Sequence, residues 1–296
     1  MDMAIILRQV SYMYDAKSLL KQTALEHVDL EFGQGVLTGI AGASGSGKST
    51  LLQLLNGILL PTEGTVSVLD VTLAAGKKPP KLRSLRKRVG LVFQFPEQQL
   101  FAATLEEDLC FGPINFGASP AEAASRARQA MQRMGLDESL LARHPLQLSG
   151  GQRRKAAIAS VLAMDPDILV LDEPGATLDQ ESRAELTELL CNLCREEGKT
   201  VIIVTHRMDE LLPYADRWVI MHEGQAAFSG TPRMLVDQAE KLAGCGLTIP
   251  QPIGYWLQLE KAFGLEGESP CFSPAALAAR LAKLIHAEKR KERVYA

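Results

Sequence analysis

A glycine-rich loop over residues 42–50 constrains this chain more than any other feature of its sequence. The loop reads GASGSGKST; a strand-like run at residues 35–40 precedes it and a helix-like run at residues 51–57 follows it. Glycines allow backbone N–H groups to turn inward, and a following helix directs its positive end at the same place. The order of strand, G-x-x-x-x-G-K-S and helix predicts a phosphate-binding loop.

Each position of the loop has an expected role. Lys48 is expected to neutralise the β and γ phosphates of a nucleotide, and the Ser49 hydroxyl to hold Mg²⁺. The other positions surround the phosphate oxygens with backbone N–H groups. The predicted nucleotide-binding residues of the loop are Gly42, Ala43, Ser44, Gly45, Ser46, Gly47, Lys48, Ser49 and Thr50.

Two adjacent carboxylates, Asp172 and Glu173, follow the apolar run at residues 168–171. A phosphate-binding loop needs a second Mg²⁺ ligand at the end of a buried strand, and Asp172 has that position. Glu173 can orient and deprotonate an attacking water, a contribution worth about 10² to 10⁴ in rate. The pair therefore predicts that the chain hydrolyses the nucleotide as well as binding it.

A third motif, LSGGQ at residues 148–152, precedes another helix-like run. A serine N-cap followed by glycines leaves N–H groups available at a helix start, which is an anion-binding arrangement. The predicted ligand-contacting residues of this motif are Ser149, Gly150, Gly151 and Gln152.

Length and charge restrict the class of protein. A chain of 296 residues allows one large α/β domain with an appendage, or two modest domains. Its 32 Lys and Arg against 35 Asp and Glu give a formal charge of -3, without the basic excess that drives nucleic-acid binding. No apolar run approaches the roughly 18 residues of a bilayer crossing, and Asp2 stands where an export signal has positive charge. We therefore expect a cytosolic protein without a membrane span.

In the first half of the chain the spacing of apolar residues changes from strand-like to helix-like. Short apolar runs before residue 35, with another at residues 64–69, predict a small antiparallel sheet. Residues 96–164 favour a helical subdomain, in which capping boxes begin at Thr104 and Ser119.

Strand-like runs then return and alternate with helical stretches, which predicts a parallel α/β sheet. We expect a nucleotide-hydrolysing domain over residues 1–245 and a helical appendage over residues 246–296. The returning strands are predicted at residues 168–171, 201–204 and 218–221.

Four motifs occur in one order: residues 42–50, LSGGQ at 148–152, the strand end at 168–173 and the Thr-His pair at 205–206. Their order and spacing resemble those of ATP-binding-cassette (ABC) ATPases, and the match covers residues 1 to about 240. The resemblance implies an α/β fold of the P-loop NTPase type. Such a cassette has a mostly parallel core sheet, an antiparallel β subdomain and a helical subdomain.

The resemblance also implies roles for single residues. In ABC ATPases the signature serine and glycines face the γ-phosphate held by the other protomer's P-loop, so that two cassettes enclose two ATP molecules. Ser149, Gly150 and Gly151 are thus expected to act on ATP bound by a second chain. Asp179 is expected in the loop that crosses the dimer, and His206 against the γ-phosphate.

Two further positions are matched to the family. Tyr14 resembles the aromatic residue that stacks on adenine, and Tyr12 is the rival for this role. Gln94 matches the glutamine that reaches Mg²⁺ and the attacking water and links the site to the transporter's membrane part. The implied Mg²⁺ ligands are Ser49, Gln94 and Asp172, and the implied catalytic residues are Lys48, Gln94, Glu173 and His206.

The stretch VFQFPEQQLF at residues 92–101 narrows the resemblance. With FGPINFG at residues 111–117, it is similar to the ATPases of energy-coupling factor (ECF) transporters, including the related cobalt and nickel importers. The resemblance implies ATP and Mg²⁺ as cofactors, and uptake of a vitamin or metal ion. The implied partners are an integral membrane coupling subunit, a substrate-binding membrane subunit and a second ABC ATPase chain, either a paralogue or an identical copy.

The resemblance also implies a location and a role for the appendage. The chain is expected at the cytoplasmic face of the cell membrane, as a peripheral subunit that binds no nucleic acid. The appendage is expected to add dimer contacts. Its charge run at residues 288–293 is predicted to be a solvated helix end rather than a lipid-binding patch.

The sequence departs from the family after Glu173. The family usually reads Thr-x-Gly-Leu-Asp after the Glu-Pro pair, whereas residues 175–179 read GATLD. Thr and Gly have in effect changed places. We expect Gly175 to loosen the loop, and Thr177 to be less well suited than glycine to a positive φ.

Two other functions compete with transport. A soluble ABC ATPase acting on nucleic acid or ribosomes would share the motifs, but the charge balance and the lack of a coiled-coil insertion disfavour it. A catalytically silent regulatory cassette would also share them. The intact Lys48, Asp172, Glu173 and His206 disfavour that second alternative.

Overall fold

A computed structural model of the chain describes residues 2–15, 21–239, 243, 250–265 and 268–295. The strands are, in chain order, β1 (Met3–Tyr14), β2 (Gln22–Gly33), β3 (Leu37–Gly42), β4 (Glu63–Val68), β5 (Val71–Ala74), β6 (Val89–Val92), β7 (Ile168–Asp172), β8 (Thr200–Val204), β9 (Arg217–His222) and β10 (Gln225–Gly230). The α-helices are α1 (Lys48–Leu55), α2 (Leu82–Arg88), α3 (Leu105–Asn115), α4 (Pro120–Arg133), α5 (Gly150–Leu162), α6 (Gln180–Arg195), α7 (Met208–Leu211), α8 (Pro232–Asp237), α9 (Gln251–Phe263) and α10 (Pro274–Tyr295).

The central sheet has six strands in the order β10-β9-β3-β8-β7-β6. All neighbouring pairs are parallel except β9 and β10, which are antiparallel. Strands β3, β7 and β8 are almost entirely buried, as expected for apolar runs that do not alternate with polar residues. The carboxyl ends of these strands meet at one edge, which is where ligands bind in open α/β sheets.

A second sheet, with strand order β2-β1-β4-β5, is antiparallel throughout. Apolar side chains of this sheet, of α1 and of one face of the central sheet form a single core cluster. The mostly parallel core sheet and the small antiparallel sheet expected from the sequence are therefore both present. Their shared core fixes α1, and with it the C-terminal end of the phosphate-binding loop.

Helices α3, α4 and α5 occupy the region predicted to be helical. The capping boxes at Thr104 and Ser119 both form, and in each the Glu three residues later closes the box. Apolar side chains of these helices pack in one cluster with the other face of the central sheet. This packing fixes the direction of α5, which begins at the LSGGQ motif.

The C-terminal part contributes α9 and α10. Ile253 and Trp256 of α9 are fully buried in the same cluster as the central helices. The expected boundary at residue 245 lies outside the described residues, as do the side chains of the charge run at 288–293. Within the described residues, no helix combines the length and the apolar character needed to cross a bilayer.

The centre of the main sheet depends on one close contact. Trp218 of β9 is fully buried, and a Cβ at Gly39 of β3 would lie 2.7 Å from its ring. Because such a contact is shorter than van der Waals distance, only glycine at position 39 leaves room for the indole.

Gly39→Ala should therefore lower the free energy of unfolding by about 1–3 kcal/mol, the usual cost of overpacking a core. The matched control is Gly254→Ala, because Gly254 lies in α9 with no atom within 4 Å of the added Cβ. That control should be neutral or stabilise by about 0.5–1 kcal/mol. Urea unfolding of the two variants measures the difference; equal effects would show that Trp218 does not need the space.

Candidate functional site

The glycine-rich loop joins β3 to α1 through a backbone that glycine adopts readily. Gly42 and Gly47 have φ of 155° and 97°, values that disfavour other residues. A Cβ at Gly42 would lie 2.2 Å from the Met221 carbonyl oxygen, and a Cβ at Gly47 2.4 Å from the Ala24 carbonyl oxygen. Both glycines are therefore required by space as well as by conformation.

The Lys48 ammonium is folded into this loop. Its Nζ donates to the carbonyl oxygens of Gly42 and Ala43 at 2.9 and 2.8 Å and to Ser46 Oγ at 3.4 Å. Burial lowers the pKa of Lys48, while the two carboxylates after β7 act to raise it. Phosphate oxygens carry more negative charge than carbonyl oxygens and form stronger bonds to an ammonium. The loop therefore holds a cation that can exchange its present acceptors for phosphate.

Ser49 and Asp172 are brought together from α1 and β7. The Ser49 hydroxyl donates to Asp172 Oδ2 at 2.7 Å. Hydroxyl and carboxylate oxygens are ligands that Mg²⁺ prefers, and it takes the rest from phosphates and water. The described residues contain no cluster of three or more His, Cys, Asp or Glu that could hold a metal ion alone. The pair fits a Mg²⁺ ion that arrives with a nucleotide.

Glu173 lies next to His206 at the ends of β7 and β8. Its backbone has φ of 51°, and its N–H donates to the Val204 carbonyl oxygen at 3.0 Å. Glu173 Oε1 lies 3.1 Å from His206 Nε2, yet this buried oxygen makes no hydrogen bond within the described part of the chain. Burial raises the pKa of Glu173, and the nearby His206 opposes that rise. A buried carboxylate oxygen with spare acceptor capacity is suited to receive a proton from water.

These groups line one cleft of about 300 Å³. Gln22 and Ala24 of β2 also line it, although no pattern in the sequence singled them out; β2 passes close to the loop at Gly47. The predicted site residues that line the cleft are Tyr14, Ser44, Gly45, Gly47, Lys48, Ser49, Thr50, Gln94, Asp172, Glu173 and His206.

The structure distinguishes the two tyrosines. Tyr14 lines the cleft, and its hydroxyl lies 3.1 Å from Thr50 Oγ1. Tyr12 is not among the lining residues and packs edge-on against Tyr14, with ring centroids 4.8 Å apart. The placement therefore favours Tyr14 as the residue that meets a nucleotide base.

The LSGGQ motif and Asp179 lie outside the cleft. Ser149 is the N-cap of α5, where its hydroxyl accepts from the Gln152 N–H at 3.2 Å. Asp179 is the N-cap of α6 and accepts from the Ser182 N–H at 2.9 Å. Each residue therefore completes a helix end of its own chain without reaching the loop at residues 42–50.

The backbone after Glu173 is ordinary at both exchanged positions. Neither Gly175 nor Thr177 has a positive φ, so the poorer fit of threonine to a positive φ has no effect in this turn. Two turn hydrogen bonds hold the segment: the N–H of Ala176 donates to the Glu173 carbonyl oxygen and that of Leu178 to the Gly175 carbonyl oxygen, each at 3.2 Å. The exchange of Thr and Gly is compatible with an ordered turn.

The fold and the cleft define a P-loop nucleotide-hydrolysing protein. The sequence profile of the ABC transporter family matches residues 25–176. Among solved structures, one similar chain is cbiO1 from Clostridium perfringens, part of the ABC transporter complex cbiONQ. It is 33% identical to this chain with a TM-score of 0.70, and the match covers 87% of this chain and 100% of the cbiO1 chain. Another is the dimeric ATP-binding cassette MJ0796, solved in a post-hydrolysis state bound to ADP and Pi. It is 30% identical to this chain with a TM-score of 0.69, and the match covers 77% of this chain and 99% of the MJ0796 chain.

Relatives with assigned names narrow the family. The energy-coupling factor transporter ATP-binding protein EcfA2 of Geobacillus kaustophilus is 46% identical over 271 residues, 92% of this chain and 93% of the relative. EcfA2 of Listeria innocua is 45% identical over 280 residues, 95% of this chain and 97% of the relative. The chain belongs to the ABC transporter family and, within it, to the ATP-binding subunits of ECF transporters. It is an ATPase of this family.

The position of Tyr14 predicts that Tyr14→Ala weakens ATP binding by about 5- to 150-fold, because stacking of a base on an aromatic ring is worth about 1–3 kcal/mol. Tyr14→Phe keeps the ring and should bind ATP as the wild type does. Tyr12→Ala should stay within about twofold. Calorimetric titration with ATP measures all three, and a larger loss for Tyr12→Ala would reverse the assignment.

Proposed function

We propose that the chain binds ATP with Mg²⁺ in this cleft and hydrolyses ATP with Glu173 as the general base. The buried Oε1 of Glu173 supports the role, because it can accept the proton of a water beside the γ-phosphate. Ser49 and Asp172 are the ligands for Mg²⁺, and Gln94 on the cleft wall is the third. Bound Mg²⁺ supplies neutralising charge at the β and γ phosphates.

The other cleft residues bind and orient the nucleotide. Lys48 exchanges its bonds to Gly42 and Ala43 for phosphate oxygens, and the N–H groups of residues 43–50 surround the same oxygens. His206 Nε2 lies 3.1 Å from Glu173 Oε1. From this position His206 can contact the γ-phosphate and orient the carboxylate of Glu173.

A second ABC ATPase chain, identical or a paralogue, completes each site in this proposal. Ser149 begins α5 outside the cleft, and a Cβ at Gly150 would meet no atom within 4 Å. A helix start with a hydroxyl and open glycines is suited to bind an anion. The γ-phosphate on the partner's loop is the anion proposed for Ser149, Gly150 and Gly151. Asp179 then lies at the crossing between the two chains.

An exposed aromatic patch supports docking of an integral membrane coupling subunit. Phe101 and Phe111 are 68% and 51% exposed, and their rings meet edge-on with centroids 5.0 Å apart. The buried Asp108 accepts hydrogen bonds from the N–H groups of Phe101 and Ala102 and so fixes this loop. Exposed apolar patches of this kind mark partner sites, and a helix laid in a groove is a common occupant.

An ion pair connects α5, the helix that begins at the LSGGQ motif, to the loop that carries Phe101. Arg154 of α5 is fully buried and donates to both carboxylate oxygens of Glu97, at 3.0–3.1 Å. The ring of Phe95 lies 5.9 Å from the same guanidinium. A movement of α5 when ATP brings two cassettes together would therefore carry the loop at residues 94–101, and the membrane partner, with it.

Together these features support an importer that takes up a vitamin or a metal ion. A substrate-binding membrane subunit selects the substrate, and the chain lies at the cytoplasmic face of the membrane as a peripheral subunit. The names of the relatives support this assembly. The formal charge of -3 supports it over an ATPase that acts on nucleic acid.

The aromatic patch predicts the result of a purification from detergent-solubilised membranes. Integral membrane subunits should copurify with the tagged wild-type chain, and Phe101→Ala with Phe111→Ala should reduce their yield at least about tenfold, as expected for hot-spot residues. Ile58→Ala is the matched control, because Ile58 is 44% exposed but lies outside the patch. Undiminished recovery with the double variant, or recovery of ribosomes or nucleic acid in place of membrane subunits, would contradict the proposal.

A further inference from the structure

One largely buried arginine, Arg183, lies beside the turn that begins at Glu173 and does not line the nucleotide-binding cleft. Arg183 of α6 donates through Nε to both carboxylate oxygens of Glu210, each at 3.0 Å. One terminal nitrogen of the same guanidinium donates to the Leu178 carbonyl oxygen. The Arg183 side chain is 12% exposed and the Glu210 side chain 30%, so the pair is partly shielded from water, and hydrogen bonds between charged groups are stronger than those between neutral groups.

The two partners of Arg183 belong to two functional segments. Leu178 immediately precedes Asp179, the residue proposed to lie at the crossing between chains. Glu210 is on α7, the short helix that begins two residues after His206. A single guanidinium therefore joins the segment that carries Asp179 to the segment that carries His206.

A small cavity shows how close this contact is to the general base. Its volume is about 40 Å³, and Glu173, Gly175, Arg183, Thr205 and Glu210 are among its lining residues. A shift of the Arg183 side chain would therefore change the packing against the turn that begins at Glu173.

The unusual Gly175 also finds an explanation here. A Cβ at position 175 would lie 3.1 Å from Arg183 Cγ and 3.2 Å from Cδ, closer than ordinary van der Waals contact. Gly175 has no positive φ, so its backbone conformation does not require glycine. The limited space beside the Arg183 side chain is what favours glycine here. The departure from the usual Thr thus leaves room for the aliphatic part of Arg183.

We propose that Arg183 is a positioning residue for ATP hydrolysis, which sets the distance between the Asp179 and His206 segments through Leu178 and Glu210. Arg183 does not line the cleft, so it should act on the rate of the chemical step and not on the affinity for ATP. The inference rests on the roles proposed above for Asp179, Glu173 and His206.

The test compares variants of the full chain in its ATPase-active assembly. Arg183→Met removes both sets of bonds at similar length and should lower kcat about 10- to 100-fold, the effect of a small misplacement at a catalytic centre. KM for ATP should stay within about twofold. Arg183→Lys, which retains a cation for Glu210, should recover part of kcat.

Further variants separate positioning from folding. Arg195→Met is the matched control, because Arg195 is in the same helix and lies over the Tyr214 ring; it should keep the wild-type kcat. Glu210→Gln should lower kcat, and the double variant with Arg183→Met should lose no more than Arg183→Met alone. Gly175→Thr should also lower kcat, because the added side chain displaces Arg183 without removing any charge. It tests the inference even if Arg183→Met does not fold.

Three results would overturn the inference: a near-normal kcat in Arg183→Met, a loss equalled by Arg195→Met, or a fall in kcat that follows a fall in Tm and a rise in KM. Glu173→Gln is measured in parallel to test the roles on which the inference rests. Should it hydrolyse ATP normally, the proposed site would be wrong. Should it be slow while Arg183→Met is active, only the role of Arg183 would be wrong.

Discussion

The burial of the Lys48 ammonium is the constraint on which the rest of the site depends. A cation removed from water requires oxygen partners, and the loop supplies them as the carbonyls of Gly42 and Ala43. The loop can curl around the ammonium only because Gly42 and Gly47 have no side chain to collide with the neighbouring strands. Parallel pairing of the core strands then places the carboxylates of β7 beside the same loop. Phosphate oxygens can compete with these carbonyl oxygens for the ammonium, because they carry more negative charge.

Helix capping fixes the orientation of the Ser149 and Asp179 side chains. Ser149 and Asp179 each satisfy N–H groups at the start of a helix, so their side chains are fixed before any second chain arrives. Neither lines the cleft of its own chain. Local requirements of α5 and α6 therefore orient groups that are proposed to act on another chain's nucleotide. The ion pairs of Arg154 and Arg183 then connect these two helices to the loop at residues 94–101 and to the segment after His206.

The sequence was informative wherever a local pattern has a local physical cause. The glycine-rich loop, the capping boxes at Thr104 and Ser119 and the strand that ends at Asp172 all lie where the patterns predicted. Contacts between distant residues carry no such pattern. Arg154 and Glu97 are 57 residues apart, and Arg183 and Glu210 are 27 apart; either arginine alone resembles an ordinary helix-surface cation. The poorer fit of Thr177 to a positive φ has no consequence, because this turn has no positive φ at that position.

The turnover rate of Glu173→Gln in the assembled complex is the most direct test of Glu173 as the general base. The substitution keeps the size of the side chain but removes the carboxylate proposed to accept the proton of the attacking water. If Glu173 is the base, the variant should bind ATP nearly normally, its kcat should be lower by about 10² to 10⁴, and closed, ATP-bound dimers should accumulate and be visible by sedimentation. ATP hydrolysis at a near-normal rate would contradict it, because the buried carboxylate at the end of β7 would then not be the base.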